Sequence, residues 1–255
     1  MKSEIKILPT APELARAAAA EVVAQARAAV ARAGRFTLVL SGGSTPRTLF
    51  TLLADEPAFR DALPWTQTHF FWGDERHVAA DHADSNYRMA REAMLAKVPV
   101  PSENIHRIPS ENPDANAAAL AYEQTLRQVF ATATGEFPRF DLVLLGMGTD
   151  GHTASLFPGT KALAETQRLV VANWVEKLNT WRITLTASSI NHAAQVLFLV
   201  NGPDKAAPLH AVLQGARQPE LYPSQLIQPV NGRCQWWLDH AAAALLGPQV
   251  TAETR

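Results

Sequence analysis

Three separate segments of this 255-residue chain hold residues that could bind an anion or move a proton. The first is Ser41-Gly42-Gly43-Ser44-Thr45-Pro46. Its two glycines let the backbone turn tightly and approach a ligand closely. A helix starting at Pro46 would aim unpaired N–H groups and the positive end of its dipole at the same point. Hydroxyls of Ser41, Ser44 and Thr45 add donors, so a phosphate monoester suits the nest. The plainer reading is a strand-to-helix turn capped by Ser44 or Thr45. No Gly-Lys-Ser/Thr follows at the spacing a nucleoside triphosphate loop needs. The second segment, Gly73-Asp74-Glu75-Arg76, brings two carboxylates and a guanidinium. Arg76 could bind phosphate or stabilise a developing oxyanion, and a solvated turn with a local ion pair is the alternative. The third is Gly146-Met147-Gly148-Thr149-Asp150-Gly151-His152-Thr153-Ala154-Ser155. Its three glycines allow an open loop around Asp150 and His152. An imidazole titrates near neutral pH and can take a proton from water. Asp150 could hold its tautomer, although residues two apart need not touch. Arg182 and Lys205, each beside a strand-like segment, could neutralise a phosphate dianion or serve as surface charge.

Other chemistries find little support. His77 and His82 stand five apart in a polar loop, no His-Glu-x-x-His or Cys-x-x-Cys occurs, and no Gly-x-Ser-x-Gly elbow is present. The expected chemistry therefore needs no metal, no cofactor and no covalent serine. Cys234, beside Trp236 and Trp237, reads as core or near-core.

The elements that must position these residues alternate between helix and strand. Ala11–Ala33 reads as an Ala-rich surface helix stopped by Gly34. Phe36–Leu40 is a short buried strand leading into the glycine loop, and a helical pattern follows from Pro46 through Leu49, Leu52 and Leu53. His69–Trp72 reads as strand, Asn86–Lys97 as helix, Ala115–Ala131 as helix and Phe140–Leu145 as strand, Asp141 apart. Arg168–Val171, Arg182–Leu185 and Val196–Val200 complete the strands. Stretches 99–113 and 218–229 read as loops. Continuous apolar strands alternating with helices predict an α/β, Rossmann-like fold: a mostly parallel sheet with helices on both faces. Ligand sites in such sheets lie beyond the carboxyl ends of strands. Three predicted strands end at Ser41, Gly73 and Gly146, so their loops should converge.

Composition narrows the setting. With 47% apolar residues and no internal repeat, one domain over residues 1–255 is expected. A net charge of −1 and the lack of a polybasic cluster predict no nucleic-acid partner and no membrane surface. One cysteine excludes a disulfide within the chain and fits a reducing, cytoplasmic setting. Met1–Thr10 lacks the apolar core of a secretory leader. Composition gives no oligomeric state.

Taken together, these segments resemble the 6-phosphogluconolactonase family over nearly the whole chain. The resemblance is carried by Ser41–Pro46, by Asp74-Glu75-Arg76 with Ser85-Asn86-Tyr87, and by the long run Gly146–Pro158. Arg182-Ile183-Thr184-Leu185-Thr186, Gly202 with Lys205-Ala206, and Trp237-Leu238-Asp239 add to it. Glucosamine-6-phosphate isomerase/deaminase shares the glycine loop, but it usually has tyrosine where this chain has Arg76. Its sequence also differs where this chain reads Thr153–Pro158. Ala79–Asp84 lacks a proline common in the lactonases, which implies a local change of loop shape.

The resemblance implies hydrolysis of a sugar-phosphate lactone, with His152 as general base on water and Asp74 and Arg76 beside it. Ser41, Gly42, Gly43, Ser44, Thr45, Asp150, Arg182 and Lys205 would contact the substrate or its phosphate. A non-catalytic sugar-phosphate sensor is a reading of a different class, but a regulator of that kind would carry a DNA-binding segment that this chain has no room for before its first strand.

Overall fold

A computed structural model describes residues 4–247. The expectations of no leader over Met1–Thr10 and of one domain over 1–255 fall partly outside those residues. The described chain runs β1 (Glu4–Leu8), α1 (Ala11–Ala33), β2 (Phe36–Leu40), α2 (Ser44–Asp55), α3 (Pro57–Arg60), β3 (Thr68–Trp72), β4 (Asp74–Arg76), α4 (Asn86–Ala93), β5 (Ile105–His106) and α5 (Ala115–Phe130). It continues with β6 (Leu142–Leu145), β7 (Val170–Val175), β8 (Thr180–Leu185), α6 (Ala187–Asn191), β9 (Gln195–Val200), α7 (Ala206–Gln214) and β10 (Arg233–Asp239).

Local chemistry sets the ends of α1. The Thr10 hydroxyl accepts from the Glu13 N–H, Pro12 sits in the first turn where it loses no bond, and Gly34 closes the helix at φ 74°. Leu14, Ala18, Val22 and Ala26, spaced four apart, form its buried stripe. The strands beneath are short and apolar. All five residues of β2 and all four of β6 are buried. Asp141, the charge at the entry to β6, accepts from the Thr37 N–H (2.9 Å) and hydroxyl (2.7 Å) and pairs with Arg32 (2.6 Å).

Seven strands form one sheet in the order β1-β10-β9-β6-β2-β3-β5, and every pairing in it is parallel. Helices flank it, as the alternating pattern predicts. From β2 the chain moves outward to β3 and β5, then returns to the other side of β2 with β6. Strand order therefore reverses between β2 and β6, and a crevice opens beyond their carboxyl ends. The loops after β2, β3 and β6 lie side by side there. No helix among the described residues is long and apolar enough to cross a membrane.

The parallel sheet is not the whole architecture. Arg168–Val171 and Arg182–Leu185 read as strands, and they fall in β7 and β8, but these lie in a separate three-stranded antiparallel sheet in the order β4-β8-β7. The cause is connection length. Only Glu176–Asn179 joins β7 to β8, with Asn179 left-handed at φ 48°, and so short a link permits only a hairpin. Gly73 hands the chain from one sheet to the other: its N–H donates to Leu40 O (2.9 Å) and its carbonyl accepts from Leu185 N (2.8 Å). Several elements escape the sequence pattern: β1, α3, β4, α6, α7 and β10. β5 is a strand inside a stretch that reads as loop, and the Asn86–Lys97 helix ends as α-helix at Ala93, with a 3-10 turn over Leu95–Lys97.

Candidate active site

A cavity of about 250 Å³ occupies the crevice between β2 and β6. Its walls are the glycine loop, Asp74 and Arg76 of β4, the Gly146–Ala154 loop, and the end of β9 with Lys205. Of the residues singled out in the sequence, Ser41, Gly42, Gly43, Ser44, Thr45, Asp74, Arg76, His152 and Lys205 all line it. Asp150 and Arg182 do not.

The glycine loop is built to present donors. Gly43 is the N-cap of α2, at φ 110°, and no side chain caps the helix, contrary to the turn capped by Ser44 or Thr45. The N–H groups of Ser44 and Thr45 are therefore left for a ligand, while Pro46 in the same turn has none to offer. The Ser41 hydroxyl is buried, lines the cavity and has no hydrogen-bond partner among the described residues. A ligand oxygen would satisfy it. Thr45 instead donates to Asn201 Oδ1 at the end of β9. Gly42 cannot be replaced without movement, because a Cβ there would fall 1.9 Å from Asn86 Oδ1.

Asp74 and Glu75 divide their work. Glu75 is buried, and its carboxylate accepts from the backbone N–H groups of Arg76, Asn86 and Tyr87 (2.7–2.8 Å) and from the Ser85 hydroxyl (3.0 Å). Burial raises its pKa, and those backbone donors oppose the rise. It is an anchor that ties the Ser85–Tyr87 segment to β4. Asp74 accepts from Ser155 Oγ at 2.7 Å, and Asn86 Nδ2 donates to its carbonyl at 3.0 Å. Arg76 donates to the Asp84 carbonyl (3.0 Å) and lies opposite Arg182 across the β4–β8 pair. Arg182 is half-buried, and burial followed by the charge of Arg76 lowers its pKa. The two guanidiniums thus form a positive wall, with only Arg76 at the cavity.

The small sheet braces the histidine loop. The Thr184 hydroxyl accepts from Ser155 N (3.2 Å), and Asn173 Nδ2 donates to Ser155 O (2.9 Å). Within the loop, Gly148 N donates to His152 O (2.8 Å), and a Cβ on Gly148 would meet the His152 ring at 2.1 Å. His152 stacks on Phe157, with ring centres 4.0 Å apart. Asp150 and His152 do touch: Nδ1 lies 2.5 Å from Asp150 Oδ1. A carboxylate can only accept, so Nδ1 carries the proton and Nε2 is the free base nitrogen. Asp150 also accepts from Lys177 Nζ through Oδ2. Burial would raise the Asp150 pKa, but hydrogen bonds from His152 and Lys177 outweigh it and hold the carboxyl well below the usual range. Asp150 thus holds the ring from behind and does not line the cavity. Its carboxylate is hydrogen-bonded to the imidazole, as the sequence allows, while that of Asp74 is bonded to Ser155 Oγ.

Sequence reasoning passed over Asn201 and Lys177 altogether. Asn201 directly follows β9, so applying the strand-end rule to Val200 would have found it. Lys177 sits in a hairpin turn with no local signal. His77 and His82 are engaged elsewhere, with the Asn112 carbonyl (2.7 Å) and beside Asp84 respectively.

An uncapped helix start, a cationic wall and a carboxylate-held imidazole at the switch point of a parallel sheet define a site that can bind a phosphorylated substrate and activate water. Residues 9–236 match the model of the glucosamine-6-phosphate isomerase/6-phosphogluconolactonase family, and the chain belongs to that family. It is 44% identical to a 6-phosphogluconolactonase from Nostoc sp., over 96% of this chain and 99% of that one. Its structure is similar to that of 6-phosphogluconolactonase from Trypanosoma cruzi, with a TM-score of 0.84 and 32% identity over 96% of this chain and 97% of the other. A monomeric glucosamine-6-phosphate deaminase shares the fold at a TM-score of 0.79 and 20% identity, covering 95% of this chain and 99% of its own.

Proposed function

We propose that the chain hydrolyses 6-phospho-D-glucono-1,5-lactone to 6-phospho-D-gluconate, the step that opens the lactone in the oxidative pentose phosphate pathway. The observation that carries this is the Asp150–His152 pair, which leaves a free imidazole nitrogen in the cavity that also holds Arg76 and the open donors of the glycine loop. The names of the relatives supply the substrate.

In this reading Ser41, the Ser44 and Thr45 N–H groups and Lys205 hold the phosphate. His152 Nε2 takes a proton from a water as its oxygen bonds to C1 of the lactone. The C1 carbonyl electrons move onto oxygen, and Arg76 stabilises that oxyanion. When the oxyanion collapses, the bond from C1 to the ring oxygen breaks, and the imidazolium returns its proton to that oxygen. A lactone is an activated ester, so a positioned water suffices. Asp74, fixed by Ser155, is aimed at sugar hydroxyls. Residues 1–255 are read as one domain, since one buried cluster runs from Leu14 to Ala242. A cytoplasmic location fits a chain with a single cysteine.

The test is a lactonase assay on freshly made lactone, corrected for spontaneous hydrolysis, with glucosamine-6-phosphate as comparison substrate. Enzyme-dependent lactone opening without ammonia release is expected. Deamination without lactone opening overturns the assignment.

A further inference from the structure

The tip of the β7–β8 hairpin carries a charge that the mechanism above does not use. Lys177 reaches Asp150 Oδ2 while Asp150 Oδ1 holds His152 Nδ1 at 2.5 Å. The same ammonium stands 4.8 Å from the centre of the Phe157 ring, against which His152 stacks. Two contacts from one side chain thus bear on the two groups that fix the imidazole. They come from the small sheet, 27 residues along the chain from Asp150.

We propose that Lys177 is a positioning residue for lactone hydrolysis: it pins Asp150 so that Oδ1 faces His152, and its charge sets the pH at which the imidazole is free to act as base. The inference rests on His152 being the general base. A carboxylate on a glycine-rich loop can rotate about its terminal bond, and a cation on Oδ2 removes that freedom. The electrostatic sign is fixed. The Asp150 anion favours the imidazolium, and the Lys177 cation offsets it. Losing Lys177 makes the imidazolium persist to higher pH.

Several other charges surround His152. Asp74, Arg76 and Lys205 share its cavity, Arg182 lies beyond Arg76 on β8, and Glu176 precedes Lys177 in the turn. All stay constant when Lys177 alone is changed. The side chains of Asp150 and His152 are 27% and 26% exposed and that of Lys177 is 52% exposed, so solvent weakens the coupling and keeps it modest.

The experiment follows the His152 ring by NMR across pH in wild type, Lys177→Met, Lys177→Gln and Lys177→Arg. It is paired with kcat/KM profiles and with the Asp150→Asn and Asp150→Asn/Lys177→Met variants. The His152 midpoint and the acid limb of kcat/KM should both move up by about half a unit to one unit in Lys177→Met and Lys177→Gln. Lys177→Arg should return both towards wild type. In the Asp150→Asn background, Lys177→Met should add no further loss of kcat, since the two residues act as one unit. An unmoved His152 midpoint in Lys177→Met and Lys177→Gln overturns the proposal, as does a further loss in the double variant. The NMR midpoint is read whether or not lactone is turned over. Failure of the functional reading would show separately, as a wild-type chain without lactonase activity.

Discussion

The Ser41–Pro46 loop and the Gly146–Pro158 loop leave neighbouring strands of one sheet, but they are held in opposite ways. The first is bare: no side chain caps α2, Ser41 Oγ has no partner among the described residues, and backbone N–H groups are the main donors. The second is crowded. Asp150, Lys177, Phe157, Thr184 and Asn173 all fix its parts. A phosphate is held by many weak donors, any of which tolerates a small shift. Proton transfer to one nitrogen does not. In the proposed reaction, binding can therefore be left to backbone shape, while catalysis draws on a second sheet for support.

That contrast can be broken by substitution. His152→Ala should lower kcat by about 10²–10⁴-fold with little change in KM, the usual reach of a general base. A wild-type kcat, after subtraction of spontaneous hydrolysis, would remove His152 from the chemistry. Gly148→Ala puts a methyl 2.1 Å from the His152 ring and should cost about 10² in kcat, since displacing a catalytic group by about 1 Å costs that much. Gly42→Ala sets the same methyl against Asn86 at the binding loop, and should instead raise KM by about tenfold, or about 1.4 kcal/mol. Steady-state kinetics on the two glycine variants decide the matter: if both change kcat alone or both change KM alone, the division between the loops is wrong.

A smaller effect separates folding from catalysis in the pH profile. His106 lies 3.1 Å from His69 on the β3–β5 edge and stacks on Phe71. Burial, then the charges of His69 and Arg35, push its pKa down from 6.5 to about 4. An unfolded chain takes up that proton near pH 6.5 and the folded one resists until about 4, so stability is full above that window and declines as pH falls through it. In His106→Phe, the urea midpoint should fall less between pH 7 and pH 4.5 than it does in wild type. An equal fall in both would clear His106 of any part in acid sensitivity.

Strands β2, β3, β6 and β9 are legible because they are mostly apolar and flanked by glycine or polar turns, and α1 because its caps and period agree. β4 is not, since Asp74-Glu75-Arg76 reads as a solvated turn. Its burial depends on donors from Ser85–Tyr87, about ten residues away, which no local window reveals. The histidine, its loop and the phosphate nest were visible as residue types at strand ends. The contact of Asp150 with His152 is legible only as a possibility, because residues two apart in a glycine-rich loop need not touch. Lys177 had no pattern to mark it, because its meaning lies in where a hairpin happens to end.

The parallel pairing of β1 with β10 sets Glu4 beside Gln235. Among the described residues β1 has no other neighbour in the sheet, so more than two hundred residues must be made before it can be zipped into place, a long loop to close and a slow one. The strands that frame the cavity, β2, β4, β6 and β9, all precede β10. On a ribosome the catalytic crevice can thus be assembled while the first strand still waits, its exposed edge a transient hazard for misassociation that ends only when β10 arrives.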